Sequence, residues 1–500
     1  MTPFILFIAV VLMMQTIAVV PSNRQLQVNT PPDATFAGFP LHLKAASSSQ
    51  FPTISHCVGE NYQSNSSWMV RSCHFSNLFC FDMSTRDYVV FADLKHERIL
   101  QQHASGSPLL DVSQSYLQPS LQNPTFVSIG GINQKWNYGA TANEGMARLR
   151  WFPEIRDISQ LAQYYELPPQ TVMIPFHSMN AANPGHLVWD DWLPIYTLLT
   201  MFQVLPGDPQ LLLMRYILPG EKGLWASCDV NEERTQDCHN LQRKFLPLMV
   251  GTDAAYQEEM PTNHNFDFHV IHPQQQQSSS STLVCAKRGL AGIGGLTDHG
   301  TEKLHGWEDK DYEVTQNHGR GGMLYEFRNF MVQNLGLATI HAQTPPFRIV
   351  FSEASSSAGH RKLDFTKHKQ LVQSSFHSNY VLVESYVMSE LSLQQQVEIA
   401  SQTSIFITMC GGGAVTSMFL PRGSSVIMFY LEYGGMEGGR PSNNPARLDW
   451  DLFNNLAYLK VHWLPKGTMQ HDDDLRAFLL LIQHELDGLV REKAYNHFFQ

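Results

Sequence analysis

The chain has 500 residues, of which 43% are hydrophobic and 16% charged, with a formal net charge of −11. That length and apolar content suit about two to four domains and exclude a disordered chain. With 45 acidic against 34 basic residues and no basic run, a broad nucleic-acid-binding surface is excluded, because phosphate binding needs clustered Lys and Arg.

The first element is the apolar run from Phe4 to Val20, interrupted only by Gln15 and Thr16. It is the one segment apolar enough to span a bilayer, so a multi-span protein is excluded. It reads as a signal-anchor over residues 1–21, with a cleaved signal peptide as the alternative and a buried N-terminal helix of a cytosolic protein as the bland reading; the first basic residue, Arg24, follows the run. Either of the first two forms sends the chain into the secretory pathway lumen, with the Golgi or endoplasmic reticulum membrane as the expected location. Residues 22–55 are rich in Pro, Ser, Thr and Gln without helical periodicity and read as a flexible stem. Seven cysteines suit that compartment. Cys57, Cys73 and Cys80 lie close together and Cys228 and Cys238 are ten apart, spacings that suit local disulfides of undetermined connectivity. The odd count leaves one thiol, and Cys410 has an apolar, core-like context. Asn65-Ser66-Ser67 is an N-glycosylation tripeptide.

Along the body, FVSIGGI at 126–132 reads as a strand running into a turn, and TVMIPF at 171–176 and LLLMRYIL at 211–218 read as strands buried on both faces. Between the last two, Asn183 to Phe202 carries apolar residues at helical spacing, with Pro194 in a first turn. The PQQQQSSSST tract at 273–282 reads as a surface loop. In the last third, strands are expected at 347–351, 380–385, 404–409 and 424–430. Ser392 and Gln395 form a capping box for a helix to about Gln402. Asp472-Asp473-Asp474 open a final amphipathic helix. Strand, helix and strand in alternation define an α/β fold with a parallel sheet covered by helices.

Gly411-Gly412-Gly413 stand between the strand at 404–409 and a short helix at 414–420. Glycines let a backbone approach a diphosphate, and free N–H groups at a helix start can donate to it. The alternative is a tight strand-helix crossing that needs glycine only for packing. The turn lacks the GxGxxG and P-loop patterns; Glu432, after the next strand, stands where a ribose-binding carboxylate is expected. His186 and Asp190 are four apart and share a face if their turn is helical. Asp309/Asp311 and Asp449/Asp451 have the DxD form, and His264, Asp267, His269 and His272 are metal-ligand types, but neither spacing defines a metal site, so solvated or capping roles are expected.

The segment SLQQQVEIASQTSIFITMCGGGAVTSMFLPRGSSVIMFY resembles the signature region of glycosyltransferase family 61, which reads approximately HGAGLTNxLFLPPG after a strand. NPGHLVWDDWLP resembles that family's upstream GHxxxDxLxP element, residues 57–82 its early cysteine-containing region, and FRIVFSEASSSAGHRKLDF its segment before the signature. Cys410 stands in place of the family's histidine, Gly412 in place of its alanine, and Ser352-Glu353 where a basic residue is expected.

The resemblance implies two Rossmann-like domains of the glycosyltransferase B type: an acceptor-side domain over 56–340, a nucleotide-sugar domain over 341–471 and a terminal helix over 472–500. It implies inverting transfer from a nucleotide sugar, usually a UDP-sugar, to a glycan or glycoprotein, with no metal and no other cofactor. Under it, Cys410, Gly411, Gly412, Gly413, Arg361 and Glu432 bind the donor, while His186, Asp190 and Asp191 supply the base that deprotonates the acceptor hydroxyl. For these three the bland role is capping a loop and a helix N-terminus. Two other classes stay open. One is a catalytically silent relative that binds glycan or protein; the other is a dinucleotide-dependent oxidoreductase using the glycines and Glu432.

Overall fold

The computed structural model describes residues 35–36, 39–47, 51–58, 72–85, 87–93, 153–176, 178, 181–207, 209–215, 228, 231–251, 283–292, 320–338, 344–353, 363–430, 450–469 and 472–498. Phe4–Val20, Asn65, the run at 126–132, the tract at 273–282, the 264–272 cluster, and Asp309, Asp311 and Asp449 lie outside them. No described helix is long and apolar enough to cross a membrane.

The α/β expectation holds, and it is clearest in the C-terminal half. Five described strands, Phe347–Ser352, Val381–Tyr386, Ile405–Met409, Ser425–Tyr430 and Lys460–Pro465, form one sheet in which every pair is parallel. Counted along the chain, their spatial order is 2-1-3-4-5. The chain steps one way from the first strand to the second, then reverses to reach the third on the far side of the first. Right-handed crossovers therefore place the helix Thr366–Ser375 on one face and the helices Leu393–Ser401 and Gly412–Phe419 on the other. The final helix, Asp472–Phe498, returns to the first face, where it packs on Thr366–Ser375. Phe351 contacts both Phe365 and Phe478 there. The Ser392–Gln395 capping box forms as the sequence requires.

That final helix is pinned to the sheet through a buried carboxylate. Glu485 accepts a short hydrogen bond from Ser425, and Oε1 lies 3.0 Å from His462 Nε2 and Oε2 3.8 Å from Lys460 Nζ. Burial pushes the Glu485 carboxyl up, but His462, Ser425 and Lys460 together outweigh it and hold it at about 2 instead of 4.5. A lowered carboxyl stabilises the fold fully above the unfolded value, and that contribution is lost as pH falls from about 4.5 towards 2. Glu485→Gln is therefore expected to cost about 3 kcal/mol at pH 7 and progressively less below pH 4.5. Urea unfolding of both proteins at pH 7 and pH 3 checks this; an equal loss at both pH values would refute it.

Nine described strands of the N-terminal half form one mixed sheet. Gln210–Arg215, Thr171–Phe176 and Leu283–Ala291 run parallel, and Leu283–Ala291 then pairs antiparallel with the long strand Ser72–Asp82. Asp87–Ala92 and Glu154–Asp157 complete that side. Thr171–Phe176 is buried at every position, as its unbroken apolar run demands. Part of the stretch expected to be a flexible stem is instead built into this fold. His42–Ala45 pairs with Gln163–Glu166, Ile54–Val58 pairs with Ser72–Asp82, and Phe36 and Phe39 are buried in the core. A stem expectation drawn from Pro and Ser content overlooked the apolar residues between them.

Cys228 and Cys238 form the expected local disulfide. Cys80 does not pair locally. It bonds Cys285, 205 positions away, directly opposite it in the antiparallel register.

Candidate active site

The Gly-rich turn leaves the C-terminal end of Ile405–Met409, the third strand of the parallel sheet. Strands one and three are neighbours there, at the point where the strand order reverses, and ligands of open α/β sheets bind outside the carboxyl ends at that point. Cys410 is a buried thiol whose N–H donates to Phe429 O over 2.8 Å. Gly411 has φ 125°, where a side chain would be strained. From Gly412 the chain enters a tight 3₁₀ helix to Phe419, the short helix expected at 414–420. Six of its eight residues, Ala414 to Phe419, are buried.

Gly412 has a specific reason to lack a side chain. A Cβ there would sit 1.9 Å from Asn183 Oδ1, which belongs to the N-terminal half. Asn183 Oδ1 also accepts the Gly185 N–H over 3.0 Å, and Pro184 occupies the first position of the turn that follows. A Cβ on Gly185 would lie 3.2 Å from Gly412 Cα. The two glycine-containing motifs of the sequence, 226 positions or more apart, thus meet backbone to backbone.

The segment after Asn183 winds wider than an α-helix. Leu187–Trp192 is a π-helical turn, and the Leu193 N–H reaches Val188 O, five residues back. Such turns carry an extra residue and are frequent at functional sites. An ordinary α-helix, Leu193–Met201, follows with Pro194 in its first turn. Within this turn His186 and Asp190 meet: Nδ1 lies 2.6 Å from Asp190 Oδ2, and both residues are buried. A carboxylate only accepts, so Nδ1 carries the proton of this contact. That is the arrangement of a general base oriented by a carboxylate.

Asp191 points elsewhere. Its Oδ2 accepts the Ser178 Oγ hydrogen over 2.5 Å, and Cys228 Sγ lies 3.2 Å from the Ala181 N. The Cys228–Cys238 disulfide and Asp191 therefore brace the chain between Ser178 and the Asn183 turn. Asp191 is thus engaged by Ser178, while His186 is assembled with Asp190. Arg361 and Glu432 lie outside the described residues.

The far end of the 3₁₀ helix is held by two groups the sequence reading missed. Arg328 is fully buried, and its Nε and Nη2 donate to Phe419 O over 3.2 and 2.8 Å. Tyr458 Oη donates to Met418 O over 2.7 Å. Burial pulls the Arg328 guanidinium down from its ordinary value and pushes the Tyr458 phenol up. Arg328 comes from the helix Gly321–Asn334, between Phe327 and Met331; a cation set on an otherwise apolar helical face was the available signal. For Asn183 it was the Asn-Pro-Gly order of a helix cap followed by a first-turn proline.

Fold and site together define an α/β protein with a parallel, doubly wound half. A carboxylate-oriented histidine lies beside the turn at the reversal point of that half. The chain matches no model of a known protein family and no curated protein.

Proposed function

We propose that the protein is an inverting glycosyltransferase that moves a sugar from a nucleotide donor, a UDP-sugar by the family resemblance, to a glycan or glycoprotein acceptor in the secretory lumen. The observation that supports it is the meeting of the two motifs. The turn at Gly411–Gly413, where a doubly wound sheet binds anions, touches the segment that presents the His186–Asp190 pair. The two sheets then correspond to the two halves of a B-type transferase, the N-terminal one enlarged by its antiparallel strands.

In that mechanism the donor diphosphate lies against the turn and Arg361 offsets the charge of the leaving group. His186 Nε2 takes the proton of the acceptor hydroxyl, which attacks the anomeric carbon from the face opposite the leaving nucleoside diphosphate. Asp190 holds the ring and stabilises the imidazolium that forms. Glu432 binds ribose hydroxyls. No step calls on a metal. The N-terminal segment Phe4–Val20 holds the enzyme at the membrane.

The packing of Asn183 on Gly412 favours a second reading, because it accounts for that glycine without any ligand. Under it the chain is a silent relative that binds glycan or protein.

A ligand that binds only the folded state raises its stability, by about 2.7 kcal/mol at a hundred times its Kd. Thermal unfolding of the full chain with UDP, GDP, CMP or NAD separates the readings. A concentration-dependent rise with UDP is expected. No rise with any nucleotide at millimolar concentration would overturn the transferase reading in favour of the silent relative, and a rise with NAD alone would favour an oxidoreductase.

A further inference from the structure

One buried hydroxyl at the reversal point lacks a hydrogen-bond partner among the described residues. This is Ser352, which ends the first strand of the parallel sheet and is 1% exposed. A buried hydroxyl without a partner costs free energy, and proteins keep few of them. Those that persist call for a water, an ion or a ligand.

Its direction follows from strand alternation. Phe351 meets Phe365 and Phe478, so it faces the layer of Thr366–Ser375 and the final helix. Ser352, the next residue, faces the other layer, that of Leu393–Ser401 and the 3₁₀ helix. Glu353 alternates back: its carboxylate accepts from Ser385 and lies 3.7 Å from Lys369 Nζ, away from Ser352. On the third strand the same logic applies. Met409 pairs in register with Phe429, which meets Phe365 and His368 on the first layer. Thr408 and Cys410 therefore share the face of Ser352. Phe351 pairs with Ile407, so Ser352 and Thr408 lie beside each other one step further on, where the chain turns into Gly411. Thr408 Oγ1 makes only a long contact, 3.3 Å, with Met409 O.

We propose that Ser352, with Thr408 beside it, is a binding residue for the diphosphate of the nucleotide donor, supplying neutral O–H donors next to the backbone N–H groups of the glycine turn. The proposal rests on the transferase reading and extends it to a residue on the other strand of the reversal point. Two strands then grip one diphosphate: a hydroxyl from the first and main-chain amides after the third. Neutral donors of this kind stabilise phosphate oxygens without adding a charge.

The proposal sets two opposite expectations for Ser352→Ala. The ligand-free variant loses an unsatisfied group and should melt at the same temperature as wild type or about 1–3 °C higher. Its Kd for UDP should rise about tenfold. Ser424→Ala is the matched control, because Ser424 Oγ is buried but donates to Thr403 O over 3.0 Å. It should melt lower and bind UDP as wild type does. The experiment is calorimetric titration of UDP into the three full-length proteins, with melting of each in the absence of ligand. If wild type binds UDP and Ser352→Ala binds it equally well, the inference falls and the transferase reading stands. If Ser352→Ala melts lower without ligand, the hydroxyl is structural, satisfied by a bound water, and the inference falls. If wild type binds no nucleotide, the transferase reading falls and takes the inference with it.

Discussion

Asp190→Asn is expected to lower the rate of sugar transfer by about 10²–10⁴-fold while leaving nucleotide binding within twofold. The asparagine keeps the shape of the buried side chain but presents an amide that can donate to His186 Nδ1. The imidazole proton then moves to Nε2, and the atom that should accept the acceptor's proton no longer can. His186→Gln removes the base outright and should match it. Asp191→Asn is the contrast. That carboxylate is engaged by Ser178, so its loss should lower the melting temperature more than it lowers turnover. The assay is transfer from a panel of UDP-sugars, with nucleotide binding measured in parallel. Turnover of Asp190→Asn within threefold of wild type would remove the pair from the mechanism.

The largest stability effect is expected at the Cys80–Cys285 disulfide. A cross-link removes loop entropy from the unfolded chain, and the removal grows with the logarithm of the loop. A separation of 205 corresponds to about 5 kcal/mol, against about 3 kcal/mol for the ten-residue separation of Cys228 and Cys238. Replacing Cys80 and Cys285 together by Ala should therefore be the costlier pair for stability. It should spare nucleotide binding, because both residues sit in strands of the N-terminal sheet. Replacing Cys228 and Cys238 should cost less stability and more activity, since Cys228 touches the Ala181 N–H within the loop that carries Asn183 and His186. Denaturant unfolding and transfer assays on the two double variants test the crossing of these effects. Equal losses in both assays would contradict it.

What could be read from the sequence was what neighbouring residues decide. The unbroken apolar runs at 171–176 and 404–409 became buried strands, and Ser392 with Gln395 formed its capping box. Asp472 opens the last helix as its charge near a positive helix end requires. The four-residue spacing of His186 and Asp190 anticipated their contact, although the turn proved π-helical. Partners far apart in the chain stayed hidden. Nothing near Cys80 names Cys285, and nothing near Gly412 names Asn183. The antiparallel half of the first sheet depends on pairing between residues 72–82 and 283–291, which no local period encodes. Ser352 reads as an ordinary strand residue until its layer and its lack of a partner are known.

The 3₁₀ helix Gly412–Phe419 is gripped at both ends by the N-terminal half, through Asn183 at its start and Arg328 at its finish. Along the same seam a Cβ on Gly321 would lie 2.3 Å from Ala457 Cβ, and Trp189 sets its edge against Phe453 at 6.1 Å. Swinging the halves apart would strip the Arg328 guanidinium of its carbonyl inside an apolar interior, a penalty beyond that of one lost hydrogen bond. The interior is continuous across the seam, so the spacing of the two halves is set when the chain folds. A jaw-like closure of one half upon the other is therefore not expected.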